Sequence, residues 1–167
     1  MFGILAMAVA ISGTFTAQDH KDAISDAVSV LAVLGDKRGG VAIGCEDTKA
    51  QKLVATVPLP NFVGIERAGI LAGGINVQYR FDDDKPVDSQ WEATGHQIIW
   101  RWNTNTGPVD FIRRLKTSTK LHVRVWKSDG NPEDIAFNYA APAVVVDRVL
   151  ARCGYDAATQ RVRKWNG

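Results

Sequence analysis

The sequence contains none of the short motifs that mark the common enzyme classes. It has no Gly-x-Ser-x-Gly turn, no phosphate-binding Gly-x-x-x-x-Gly-Lys-Ser/Thr loop and no His-Glu-x-x-His zinc motif. Its two cysteines lie far apart and form no Cys-x-x-Cys pair, which argues against zinc-ribbon and thioredoxin-like sites. A net charge of +2 is too small to indicate a nucleic-acid partner. These absences predict a protein without catalytic activity, cofactor or metal.

The start of the chain is apolar. Residues 2–11 read FGILAMAVAI, a run too short to span a bilayer but typical of the central part of a secretory signal peptide. No Lys or Arg precedes it. Ala8-Val9-Ala10 has the residue type of a cleavage site but comes early, and cleavage after Thr14 or Ala17 is the alternative. The alternative is an N-terminal helix or strand of the core. We expect a signal-like segment at 1–17, one β-rich domain at 18–155, a basic tail at 156–167, and a periplasmic or secreted location.

The two cysteines suggest a disulfide if the protein is exported, because disulfides persist in oxidising compartments. Cys45 ends the apolar stretch 41–45, and Cys153 closes an apolar helical stretch before Gly154. A bond between them would tie the C-terminal helix to an early strand. The alternative is two buried free thiols in a cytoplasmic protein.

The periodicity of apolar residues predicts a mainly β fold of the α+β class. Alternating or β-branched segments predict strands at 28–34, 41–45, 53–57, 75–81, 90–93, 96–102, 121–127 and 135–139. Apolar residues three apart predict a short central helix at 109–116, and a second helix runs from 142 to about 153. Hairpin spacings favour an antiparallel β-sandwich or rolled sheet.

Three segments carry weaker signals. Residues 19–26 look irregular or briefly helical, 61–74 looks like a loop, and the tail from 155 looks loose. A helix over 23–34 competes with the strand predicted at 28–34, since Ala and Leu permit either structure.

Aromatic residues supply one candidate surface. Trp100 and Trp102 are two residues apart, so they share one face of a strand. They predict either core packing or an exposed platform for a sugar or a protein.

Titratable residues supply weaker candidates. His96 or His122 with an Asp would serve an enzyme acting on cell-wall or glycan substrates, and the turn at 82–84 is either solvated or a cation site. Two basic groups predict solvated surface or weak contact with an anionic surface. One comprises Arg148, Arg152, Arg161, Arg163 and Lys164, and the other Arg113, Arg114, Lys116 and Lys120.

Three ordered runs carry a family resemblance. They read VQYRFDDDKPVDSQW at 77–91, VDFIRRLKTSTKLHVRV at 109–125 and AFNYAAPAVVVDRVLARCGY at 136–155. Together with GGVAIGCEDTKAQKLVATV at 39–57, they resemble small exported proteobacterial proteins that include the type VI secretion-associated VasI/TagO-like proteins. The positions that match the family pattern are Arg80, Phe81, Asp82, Trp91, Phe111, Arg113, Leu115 and Phe137, with Cys153 closing the last helix.

The resemblance implies a β-rich periplasmic accessory protein with no catalytic residue to transfer. It also implies Cys45 as the partner of Cys153. We therefore expect a non-enzymatic envelope protein that binds another envelope or secretion-system protein. A prophage-encoded host-interaction protein on the same scaffold is the alternative within the family.

Overall fold

A computed structural model describes residues 9–21, 28–36, 39–46, 52–59, 61, 64–66, 74–101, 108–127, 129–156 and 161–162. These residues form thirteen strands and two helices. The first seven strands are β1 (Val9–Gly13), β2 (Thr16–Lys21), β3 (Val28–Asp36), β4 (Gly39–Glu46), β5 (Lys52–Pro58), β6 (Gly64–Glu66) and β7 (Ile75–Phe81). The remainder are β8 (Val87–Gly95), β9 (Gln97–Arg101), α1 (Val109–Thr117), β10 (Lys120–Trp126), β11 (Pro132–Tyr139), α2 (Ala143–Arg152), β12 (Tyr155–Asp156) and β13 (Arg161–Val162).

Most of the strands belong to one curled, mixed sheet. Its order is β1-β11-β10-β7-β8-β9-β5-β4-β3-β2, and β6 pairs with β8 beside this path. Neighbouring strands are antiparallel except β1 and β11, which are parallel. The predicted mainly β fold with two helices is confirmed in the form of the rolled sheet.

The curl follows from the connection between the first two strands. Only Thr14 and Phe15 separate β1 from β2, yet these strands end opposite sides of the strand order. Such a short link can join them only if the two ends of the sheet lie side by side. A Cβ added at Gly13 would lie 3.3 Å from Leu34 Cδ1 on β3, which places the two ends in contact.

The core lies on the inner face of this sheet. Alternate residues of β7, β10 and β11 point inward, as the period of two requires, and their outward neighbours are more exposed. α1 adds Val109, Phe111, Ile112 and Leu115 to the same apolar cluster, and α2 packs against β3 and β4. Both helices therefore cover strand residues that water would otherwise reach.

Several segments differ from expectation. β2 occupies part of the segment expected to be irregular, and the competing helix is excluded over 28–34 because β3 lies there. In β2, Thr16 and Gln18 are exposed at an edge of the sheet, so this strand lacks the apolar alternation that identifies strands in a sequence. β6 lies within the predicted loop 61–74. β12 and β13 pair Tyr155 with Val162 in the predicted loose tail, where backbone pairing needs little apolar signal.

The N-terminal apolar segment enters the sheet from Val9 onward. Ile11 is fully buried, and Phe15 is 7% exposed, with its ring centroid 5.5 Å from that of Tyr139. The sheet therefore starts before residue 18, where we expected the domain to begin. Residues 1–8, the first part of the signal-like segment, lie outside the described residues.

Candidate functional site

The two cysteines form a disulfide. Cys45 lies on β4, Cys153 directly follows α2, and their Cα atoms are 5.6 Å apart. Cys153 is fully buried, and its N–H donates to the carbonyl of Val149 at 2.9 Å. Gly154 then adopts φ 68°, a conformation that favours glycine and ends the helix. The predicted link between the C-terminal helix and the early strand is confirmed.

Five of the family-pattern positions are core residues. Phe81, Phe111, Leu115 and Phe137 are at most 1% exposed, as is Trp91. The Phe111 ring lies 5.2 Å from Phe81 and 5.4 Å from Trp91, centroid to centroid, which joins α1 to the sheet. Packing alone accounts for these side chains.

Trp100 belongs to the edge of the same aromatic cluster. Its ring lies 5.3 Å from Trp91 and 5.9 Å from Tyr79, and the side chain is half-buried. Trp102 lies outside the described residues. The structure thus gives Trp100 a packing role, while an interaction surface formed by the pair stays a prediction.

Asp82 holds the turn after β7. Its Oδ1 accepts hydrogen bonds from the Thr119 backbone N–H at 3.0 Å, the Thr119 hydroxyl at 3.1 Å and the Lys120 N–H at 2.9 Å. Burial opposes ionisation, but these hydrogen bonds outweigh it and lower the pKa of Asp82. Its φ of 43° is unusual for a residue other than glycine, and Asp is among the residues that adopt this conformation more readily than most. Asp82 therefore has a structural function at this turn.

Acidic partners neutralise much of the basic surface. Arg114 pairs with Asp84, Lys116 with Asp147 at 2.7 Å, and Arg148 with Asp19 at 2.6 Å. Arg152 also lies 3.9 Å from Asp19. The structure does not describe Arg163, Lys164 or the side chain of Arg161. Contact of the basic tail with an anionic surface therefore stays a prediction.

Two family-pattern positions, Arg80 and Arg113, are not explained by packing. Arg113 is exposed on α1, and its Nη1 lies 3.7 Å from Asp110 Oδ1 within the same helix. Exposed pairs of this kind contribute little stability. Arg80 points to the outer face of β7, where His122 of β10 lies directly opposite it.

We refer to the surroundings of Arg80 as the Arg80 face. It is a shallow depression of about 270 Å³ on the outer side of β7, β10 and β11. The side chains that define it are Gln78, Arg80, Pro86, His122, Arg124 and Asp134. Three adjacent strands hold all of these groups except Pro86, so the register of the sheet sets their positions.

Hydrogen bonds occupy one part of this face. Arg124 donates from Nε to Asp134 Oδ1 at 2.6 Å and from Nη2 to Oδ2 at 2.8 Å, a bidentate ion pair. Gln78 Nε2 donates to Asp88 Oδ1 at 2.8 Å. These pairs fix the side chains beside Arg80 without using Arg80 itself.

Arg80 and His122 are the groups on this face without a polar partner among the described residues. Partial burial lowers the pKa of His122, and the positive charges of Arg80 and Lys120 lower it further, against the weaker opposite effect of Asp134 and Asp83. The face therefore presents a permanent cation next to an imidazole that is neutral near pH 7.

His122 does not form the pair that the enzyme alternative requires. Within the described part of the chain, no carboxylate forms a hydrogen bond with His122. His96 is exposed in the turn between β8 and β9, and the side chain of His20 is outside the description. His122 is thus not arranged as a general base oriented by an acid.

Sequence reasoning missed one feature of this face and one of the adjoining core. The alternation of β10 placed His122 outward, but only the register of β7 against β10 shows that it faces Arg80. Glu133 was also missed, although it lies two residues before inward-facing Ile135. It is 8% exposed, and neither carboxylate oxygen has a hydrogen-bond partner among the described residues.

Comparisons of the chain with protein-family models, with curated proteins and with solved structures found no match. Among the described residues, no helix is both long and apolar enough to span a membrane.

Proposed function

We propose that the protein is an exported, non-enzymatic binding protein of the cell envelope, located in the periplasm or secreted. The observation that carries this proposal is the Cys45–Cys153 disulfide. Structural disulfides persist in oxidising compartments and are rare where cellular reductants keep thiols reduced. The apolar run at 2–11 resembles the central part of an export signal, although its last three residues, 9–11, also belong to β1.

The fold affects where the leader can end. β1 pairs with β11, and Ile11 fills the core, so cleavage after Thr14 or Ala17 would remove a strand and a buried side chain. We therefore expect the mature chain to keep Val9 and the residues that follow it.

The accessory role rests on the family resemblance and on the arrangement of the surface. Within the described residues, Arg80 and His122 lie on an open sheet face and not in a deep cleft. A protein of this kind is suited to contact with another envelope or secretion-system protein. The narrower proposal is an accessory role in type VI secretion.

The test is fractionation of cells that express the protein from its own start, followed by intact-mass analysis. We expect a periplasmic or secreted species with a processed N-terminus and a mass two hydrogens below that of the dithiol. A Cys45→Ala/Cys153→Ala variant is the matched control, because it keeps the leader and should lose only the mass difference on reduction. Full-length, reduced protein in the cytoplasm would overturn the proposal.

Copurification tests the narrower proposal. After cross-linking in intact cells, we expect a type VI membrane-complex component to copurify with the protein. Less of this component should copurify with the Cys45→Ala/Cys153→Ala variant, because loss of the disulfide destabilises the fold. Consistent absence of every such component, in cells that assemble the apparatus, would rule out the secretion role and leave the exported location to be judged separately.

A further inference from the structure

The Arg80 face contains an uncompensated positive charge in a fixed setting. Arg124 and Gln78 are held by Asp134 and Asp88, respectively, whereas Arg80 has no acidic partner among the described residues. The guanidinium is always protonated and carries donors in a planar fork. A half-buried Arg without a protein partner is suited to a ligand that supplies negatively charged oxygens.

His122 provides a second donor at the same place. Residues directly opposite on antiparallel strands have Cβ atoms roughly 5 Å apart, so the imidazole and the guanidinium can reach one group. In its neutral form the imidazole carries one N–H donor, and in its protonated form it carries two. A planar fork beside an N–H donor matches the geometry of a phosphate or carboxylate group.

We propose that Arg80 and His122 form a binding site for an oxyanion, the phosphate or carboxylate group of a ligand, on the outer face of β7 and β10. The site is independent of the proposed export, because it rests on the register and charges of the sheet alone.

The surrounding charges permit this ligand. Arg80 of β7 and Lys120 and Arg124 of β10 are positive, whereas Asp134 of β11 and Asp83 of the turn are negative. Asp88 of β8 is bonded to Gln78, and Asp134 already holds Arg124 in a bidentate pair. Arg124 and Asp134 neutralise each other, so Arg80 and Lys120 are balanced by Asp83 and Asp88, and protonated His122 would add a further positive charge.

The direction of the pH dependence follows. The pKa of free His122 lies below its usual value because of burial, Arg80 and Lys120. An anion bound beside it favours the charged imidazole and raises that pKa. Binding should therefore strengthen as the pH falls through the range in which His122 becomes protonated.

The experiment is a titration of the isotope-labelled protein, followed by NMR of the His122 imidazole and the backbone amides of β7 and β10. The probes are inorganic phosphate and acetate at constant ionic strength, with sodium chloride as the balancing salt. We expect saturable shifts with a Kd on the order of 1–10 mM for the better probe. A preference for phosphate indicates a phosphorylated ligand, and a preference for acetate indicates an acidic peptide or organic acid.

Variants test the assignment. Arg80→Gln should weaken binding by about tenfold or more, because it removes the charged fork but keeps a polar side chain of similar reach. Arg113→Gln is the matched control, since it removes an exposed arginine on α1, outside this face, and should leave the affinity unchanged. Circular dichroism spectra of each variant confirm that the fold is retained.

Sulfate serves for the pH arm because it stays doubly charged across the range. We expect tighter binding at pH 5.5 than at pH 7.5 in the wild type, and a smaller difference in His122→Gln. The absence of saturable shifts with all three probes, or equal weakening by Arg80→Gln and Arg113→Gln, would overturn the proposal. The chemical shift perturbations are read in the purified oxidised protein, so neither result depends on where the protein is located.

Discussion

Removal of the disulfide should cost a large share of the stability. The bond joins residues 108 positions apart. In the chain-entropy model, closure of a loop of that size in the unfolded state corresponds to about 4–5 kcal/mol. Domains are typically stable by only about 5–15 kcal/mol, so the cross-link is a substantial part of the total. We predict that Cys45→Ala/Cys153→Ala lowers the free energy of unfolding by about 4–5 kcal/mol.

Alanine is the appropriate replacement because Cys153 is fully buried and a serine hydroxyl would need a hydrogen-bond partner there. The assay is equilibrium unfolding in urea, followed by circular dichroism and by tryptophan fluorescence. With an m-value of about 2 kcal/mol/M, the midpoint should fall by roughly 2 M. The melting temperature should fall by about 10–20 °C.

A reducing agent provides the control. It should lower the midpoint of the wild type towards that of the double variant and leave the double variant itself unchanged. If the oxidised wild type and the double variant differ by less than about 1 kcal/mol, the loop-closure reasoning is wrong for this protein.

Three further predictions concern single side chains. Asp82→Ala should destabilise the protein by about 1–3 kcal/mol because it removes the acceptor for Thr119 and Lys120. The pKa of Asp82 is lowered in the folded state, so its contribution to stability should be present above pH 4 and lost as the pH falls through the folded pKa. Urea midpoints measured at pH 3 and pH 6 should therefore differ less in Asp82→Ala than in the wild type, and an equal difference would contradict this. Glu133→Met should stabilise the protein by about 1–3 kcal/mol, more than Glu133→Gln does, because both buried carboxylate oxygens lack partners among the described residues; an equal or lower melting temperature would contradict this. Trp91→Ala should cost about 3–5 kcal/mol in urea unfolding, since the ring is 1% exposed; a loss below 1 kcal/mol would show that the aromatic cluster repacks.

Sequence reasoning found the strands and helices that have one apolar, buried face and one polar, exposed face. β7, β10 and β11 bury alternate apolar residues, and α1 buries one face, so each has a clear period. The disulfide was predictable because both cysteines lie next to recognisable elements, and no further cysteine competes for pairing. In these segments the local pattern and the tertiary environment agree.

The elements that it missed have little contrast between their faces. β1 begins within the apolar run at 2–11, which suits a leader as well as a buried strand, and its parallel pairing with β11 leaves no local trace in the sequence. Edge strand β2 is largely polar. The Arg80 face could not be found because it depends on the register between strands about forty residues apart, which residue patterns do not specify.

The pairing of β1 with β11 has a consequence for biosynthesis. β1 leaves the ribosome long before its partner segment Pro132–Tyr139, and Cys153 is made later still. Contacts between such distant parts of a chain form slowly. The sheet therefore remains incomplete in the nascent chain until β11 has been translated, and up to that point the chain is kept in the unfolded form that a translocation channel for unfolded chains requires.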